Sequence, residues 1–205
     1  MNSFQGSTEI LAFHDACHST PRWTKESPQQ HASGLWQCIE LNHRCNCLLW
    51  DEEDLARRKQ VPDTEIAANK RAIDGYNQKR NDAVERMDEA LLEGLAGTQR
   101  KAGARLNSET AGSMIDRLSI LSLKIHHMRL QTRRNDVDTA HIESCTARLD
   151  RFLEQRRDLA DCLDRLLTEA ARGDAWFKVY RQFKMYNDPA LNPAMYEEKG
   201  KPGLA

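Results

Sequence analysis

Residues 107–134, NSETAGSMIDRLSILSLKIHHMRLQTRR, decide the fold. At about 100° per residue, Met114, Leu118, Leu121, Ile125 and Met128 form one apolar stripe at alternating spacings of four and three. Ile120 and Leu123 stand on the opposite side, with Asp116 and His127. A helix with a single apolar stripe lies on a surface, whereas one with two apolar faces is buried between neighbours. The stretch therefore reads as a central helix. Asp116, Lys124 and His127 share it with little polar surface to receive them.

On its C-terminal side, Asn135-Asp136 and Asp138-Thr139 supply a turn and a cap. The seam that follows is Ile142, Cys145, Leu149, Phe152, Arg156, Leu159, Leu163, Leu166 and Ala170. Its threes and fours are those of coiled-coil packing. The same rhythm across a short connection predicts an antiparallel hairpin of helices over 108–134 and 139–171. Arg156 interrupts the seam and calls for a carboxylate. Asp116 points to the other face of its helix, so a residue such as Asp88 is the expected partner.

On its N-terminal side, residues 96–110 form a connector with Gly97, Gly103, Arg100, Lys101 and Arg105, and Asn107 or Ser108 is placed to cap the central helix. A basic loop feeding a helix N-terminus is one way to hold a phosphate. It lacks P-loop spacing, and a mobile surface loop is the plainer reading.

Upstream lies a helix that Pro62 opens and that runs to about Leu95. Its inner stripe is apolar at both ends. Asn77, Asn81, Glu85 and Asp88 make its middle polar, so that these groups bond one another, bind something, or face solvent. Ser33 caps another long helix, over residues 34–58. Trp36, Glu40, His43, Cys47, Trp50, Asp51 and Asp54 share one face of it. His43 and Glu40 are there either a hydrogen-bonded core pair or a ligand or acid/base pair. The first 32 residues read as a short helix capped by Ser7, then a polar loop anchored by Trp23. Beyond Gly173, an aromatic segment with Trp176, Phe177, Tyr180, Phe183 and Tyr186 suggests a short helix lidding the bundle. An irregular tail follows from 189.

The fold expected is thus all-α: one domain over 1–205, a bundle of about four to six helices with its core in 33–188. Charged residues make up 30% of the 205 and the formal net charge is −1, which gives no general attraction to nucleic acid or anionic membrane. No apolar run approaches the roughly 20 residues that span a bilayer, and no signal-peptide pattern opens the chain. The six cysteines have no paired metal-binding spacing, so they read as reduced thiols of a cytoplasmic protein.

Residues 35–57, 106–128 and 181–193 together resemble a family of bacterial proteins known only as a domain of unknown function. The resemblance implies an association with glycosyltransferases that build lipopolysaccharide or related surface glycans. A second resemblance is to the all-α nucleotide pyrophosphohydrolases, which hold Mg²⁺ with an ExxE pair and a later ExxD pair. Glu40-Leu41-Asn42-His43 and Glu85-Arg86-Met87-Asp88 occupy comparable places, with His43 standing where the second glutamate belongs. Hard Mg²⁺ prefers oxygen, and Asp51 is the nearby carboxylate.

Two functions compete. The first is an enzyme or binding protein acting on a phosphorylated small molecule, such as a nucleotide or nucleotide-sugar. Glu40, His43 and Asp116 would be its acids and bases; Asp51, Glu85 and Asp88 its ligands for Mg²⁺ or Mn²⁺; Arg100, Lys101, Arg105 and Lys124 its anion contacts. That reading requires Glu40 and His43 to converge with Asn81, Asp88 and Asp116. The second is a non-catalytic helical module that partners a glycosyltransferase or a second copy of itself.

Overall fold

In a computed structural model the chain is described over residues 6–183, 185 and 188–199. Its described residues form seven helices: α1 (Ser7–Ser19), α2 (Trp23–Glu26), α3 (Gly34–Leu55), α4 (Asp63–Gly94), α5 (Ala111–Thr132), α6 (Thr139–Ala171) and α7 (Pro193–Lys199). Two residue pairs, β1 (Arg105–Leu106) and β2 (Ala175–Trp176), make a minimal parallel sheet. The all-α bundle is as expected, with three of the seven helices short. No helix of the described residues is long and apolar enough to cross a membrane.

The bundle is two hairpins laid together. α5 and α6 pack along each other, as the matched seams predict, and α3 and α4 do the same across the turn at 56–62. α5 also touches α1, α3 and α4, which is why it needs two apolar faces. Met114, Leu118, Leu121 and Ile125 are buried on one side of it and Leu123 on the other. Leu121 and Leu159, the two seam leucines, are 8% and 7% exposed. The core joins them to Ile10, Ile39, Met87, Ile115, Leu163 and Leu166. α4 and α5 approach closely at Gly112, where a Cβ would meet the Val84 carbonyl oxygen at 2.6 Å.

Local chemistry moves several boundaries. α6 starts as expected, with the Asp138 side chain accepting from the His141 N–H. α5 starts later than Asn107 or Ser108, because Thr110 is its cap, accepting from the Ser113 N–H. Asn107 instead extends the β1 pairing, its N–H donating to the Trp176 carbonyl. At α1, Ser7 is the first helical residue rather than the cap; both its N–H and its hydroxyl donate to Asp164 of α6 at 2.7 Å.

Three expectations are corrected. Arg156 is paired, but with Asp15 of α1 at 2.8 Å rather than with Asp88. The polar loop before α3 contains the single turn α2, and the tail beyond 189 contains α7, so neither is wholly irregular. Over its described residues up to Phe183, the aromatic segment after Gly173 is not helical. Ala175–Trp176 pairs with β1, Phe177 is buried, and the chain then runs irregularly with Phe183 86% exposed. Backbone hydrogen bonds hold the segment extended at Ala175–Trp176, the Arg105 N–H donating to the Asp174 carbonyl and the Asn107 N–H to that of Trp176. Tyr186 lies outside the described residues.

Candidate functional site

The polar residues of α3, α4 and α5 fall into separate arrangements, and the expected single cluster is divided among them. Glu40 is 1% exposed and looks away from α5, toward the loop before α3. It accepts from the Gln30 N–H at 3.0 Å, from the His31 N–H at 3.0 Å and ring Nδ1 at 2.9 Å, and from Arg44 at 3.3 Å. Burial pushes its carboxyl pKa up, and the donors of Gln30, His31 and Arg44 more than reverse this, leaving it below the usual value. Arg44 also donates to the Trp23 and Thr24 carbonyls and lies 4.3 Å over the Trp23 ring. Every oxygen of Glu40 is thus engaged in fastening the loop to α3, which leaves no lone pair directed at a ligand.

Asp88 likewise faces its own backbone. It accepts from the Gly112 N–H at 2.6 Å, in the first turn of α5, where a negative charge suits the helix dipole. Burial still raises its pKa to about 6, the hydrogen bonds from Thr110 and Gly112 opposing. Glu85 receives Arg181 at 3.0 Å and the Gln182 N–H at 2.9 Å, tying the C-terminal segment to α4. Asp51 stands apart from both, its carboxyl raised by burial against the charges of Lys25 and His127. Asp51, Glu85 and Asp88 therefore do not come together as a metal-binding set.

The basic connector is bound to the chain itself. Lys101 pairs with Asp174 at 2.7 Å, Arg105 with Glu169 at 2.7 Å, and the Arg100 guanidinium lies 3.5 Å from the Trp176 ring centroid. The Lys101 N–H donates to the Gly173 carbonyl. Gly173 has φ 77°, and a Cβ there would strike the Gln99 carbonyl, so only glycine lets the strands meet. Lys124 sits elsewhere, its ammonium 5.7 Å from the Phe152 ring and facing the α5–α6 groove.

What the fold does assemble is a chain of hydrogen bonds between α3 and α5, with Arg80 of α4 beside it. Asn42 and Asn46 donate to Asp116 at 2.8 and 2.9 Å. Asn46 donates also to the Ser119 hydroxyl at 3.0 Å, and the same oxygen meets His43 Nδ1 at 2.8 Å. His43 and Asp116 are thereby linked through Ser119 and Asn46 rather than directly. Arg80 of α4 approaches Asp116 at only 3.8 Å, and its buried Nε has no hydrogen-bond partner.

This network floors a cleft of about 330 Å³ between α3, α4 and α5. Asn46, Asn77 and Arg80 line it with polar groups, Glu53, Asp54 and Arg57 form its charged rim, and Trp50 gives it a flat wall. Trp50 is itself held by His127, the two rings stacked 4.4 Å apart and 9° from parallel. Arg57 is turned to Glu53 at 3.0 Å. Arg80 also faces the cleft; one of its terminal N–H groups donates to its neighbour Asn81 at 3.5 Å, and its Nε has no hydrogen-bond partner.

Behind His43 lies a second, drier group. His14 stacks on it at 4.3 Å, while His18 and Trp23 meet it at 5.0 and 5.4 Å. His14 is wholly buried, neither ring nitrogen has a partner, and burial depresses its pKa to about 3. Burial and the neighbouring His126 bring His18 to about 4. All three imidazoles are therefore neutral near pH 7. Sequence reading singled out His43 but neither Arg80 nor His14 and His18 of α1. Their signals were present, as His14/His18 and His43/Cys47 are both spaced four apart on helices, which places each pair on one face.

No curated protein and no solved structure matches the chain. A family model described as a protein of unknown function (DUF4254) matches residues 36–179, from the first turn of α3 to just beyond β2, and the chain belongs to that family.

Proposed function

We propose that the cleft between α3, α4 and α5 binds a small phosphorylated sugar, free or as part of a nucleotide-sugar. The observation that carries this reading is Arg80, whose guanidinium faces the cleft with a buried Nε that lacks a partner. A guanidinium presents five donors in a fixed fork that suits phosphate. The Nε is turned toward Asp116 at 3.8 Å, so the terminal N–H groups are the ones offered to a bound anion. Asn46, Asn77, Glu53 and Asp54 supply the amide and carboxylate groups that hydroxyls require, and Trp50 the face on which a sugar ring stacks. The cleft volume is at the lower end of ligand sites, which run from about 300 to 1,000 Å³, and suits a monosaccharide phosphate better than a whole nucleotide-sugar.

If the bound molecule is also transformed, Asp116 is the carboxylate nearest the phosphate-binding arginine, held in place by Asn42 and Asn46. Glu40 has no part in such chemistry. The setting proposed is bacterial surface-glycan metabolism in the cytoplasm, whose reducing conditions suit six free cysteines.

Thermal unfolding with hexose phosphates, nucleotides and nucleotide-sugars tests the reading. A ligand at about 100 times its Kd stabilises by roughly 2.7 kcal/mol, and Arg80→Gln is expected to abolish the shift. No shift with any of these compounds, or one that survives Arg80→Gln, overturns it.

A further inference from the structure

We infer that His18, His43 and Cys47 form a binding site for a borderline transition-metal ion of the Zn²⁺ type, between α1 and α3. Among the described residues they are the group of metal-binding side chains that converge, one ligand atom from each lying within 4.8 Å of the others. The site is separate from the sugar-phosphate cleft, and its test does not depend on that reading.

Each of the two histidines uses one ring nitrogen in a hydrogen bond with a serine of α5. Ser122 donates its hydroxyl proton to the Ser119 carbonyl at 2.7 Å, so its oxygen accepts from His18 Nε2 at 3.0 Å. That tautomer leaves Nδ1 of His18 with its lone pair. His43 is anchored through Nδ1 to the Ser119 hydroxyl, and its Nε2 faces the Cys47 sulfur at 3.8 Å. Two serines one turn apart on α5 thus hold two imidazoles by one nitrogen each and present the other. This is the outer-shell arrangement that orients metal-binding histidines.

The spacing suits a bridging ion. Tetrahedral Zn²⁺ with Zn–S about 2.3 Å and Zn–N about 2.0–2.1 Å separates sulfur from nitrogen by about 3.6 Å. The His43–Cys47 separation is close to that. His18 stands farther out, at the end of α1, and closing on the ion asks about an ångström of side-chain movement from it.

A second observation points to the same place. His14 is wholly buried beside His43 with neither nitrogen partnered, a costly arrangement for a polar ring. A coordinated water in the remaining position of a three-ligand site supplies a partner for it. The donors also select the metal. Imidazole nitrogen and thiolate sulfur favour Zn²⁺, Co²⁺ or Cu⁺ over Mg²⁺ and Mn²⁺, which prefer oxygen. Binding must expel the thiol proton, because the thiolate is the form that ligates a metal.

The test is titration of tag-free, chelator-treated protein with Co²⁺, followed by absorption spectroscopy and Zn²⁺ competition. The expected result is one Co²⁺ per chain with a thiolate-to-cobalt charge-transfer band, displaced by Zn²⁺. Cys47→Ala should remove the band, and His18→Gln should weaken binding by roughly tenfold or more. Circular dichroism of the metal-free variants reports whether they fold. If Cys47→Ala does not, the wild-type spectrum decides alone. No saturable binding, Co²⁺ bound without a charge-transfer band, or an unchanged band in folded Cys47→Ala overturns the assignment.

Discussion

The Arg156 guanidinium, set in the packed seam of α6, donates to the Asp15 carboxylate of α1 at 2.8 Å. The arginine side chain is 13% exposed and the aspartate 43%, so the two partners are unequal. Asp15→Ala strands a mostly buried cation, whereas Arg156→Leu only returns a half-exposed carboxylate to water. Asp15→Ala is expected to cost about 1–2 kcal/mol. The double variant Asp15→Ala/Arg156→Leu should regain most of that. Urea denaturation of the four proteins checks the order.

Gly112 lets α5 lie against α4. A methyl group there meets the Val84 carbonyl at 2.6 Å and an Asp88 oxygen at 2.9 Å. The first contact is backbone and cannot move aside cheaply. Gly112→Ala should therefore destabilise by about 1–3 kcal/mol, although alanine is the better helix former. Calorimetry that finds the variant as stable as the parent would show that α4 and α5 are not so close.

Asp88 gives the clearest pH signature. Its folded pKa of about 6 lies above the ordinary carboxylate value of 3.8. Between those values the folded chain keeps a proton that the unfolded chain has lost, so this group's contribution falls as pH rises through the window and is flat above it. The loss amounts to about 2–3 kcal/mol. Asp88→Asn keeps an acceptor for the Gly112 N–H and removes the charge. It should match the parent near pH 4 and exceed it in stability at pH 7. The difference between the two unfolding curves isolates Asp88 from the other titrating groups.

Glu40→Gln should unfasten the loop before α3. The amide replaces one accepting oxygen with a donor that faces Gln30, His31 or Arg44. A loss of about 3–5 kcal/mol is expected, with faster proteolysis between residues 27 and 33. Any ligand-induced shift at the cleft should persist in the folded fraction, which a catalytic or ligand-contacting Glu40 would not allow.

The helices were legible where packing repeats with a fixed period. The two seams of α5 and α6 announced themselves through threes and fours, and Asp138 through its place before Thr139. Glu40 was legible as buried but not as occupied, because its partners are backbone N–H groups of Gln30 and His31, which no side-chain pattern reveals. The segment around Trp176 was misread for a related reason. Its strand partner lies some 70 residues earlier, and periodicity reports only what a segment does with its near neighbours. Arg80 escaped notice because, among the many charges of α4, a guanidinium facing a cleft looks like any other until its surroundings are known.

The β1–β2 pairing closes the α5–α6 hairpin at the end opposite its turn. The two helices are consequently joined twice, covalently through residues 133–138 and by hydrogen bonds through Arg105–Asp174 and Asn107–Trp176. Ser7–Asp164 and Asp15–Arg156 hold α6 to α1 as well. The peptide link at the turn is thus redundant for keeping α6 in place. A chain opened there should survive as two fragments that stay associated, which makes this turn the natural point at which to insert a reporter or relocate the chain ends.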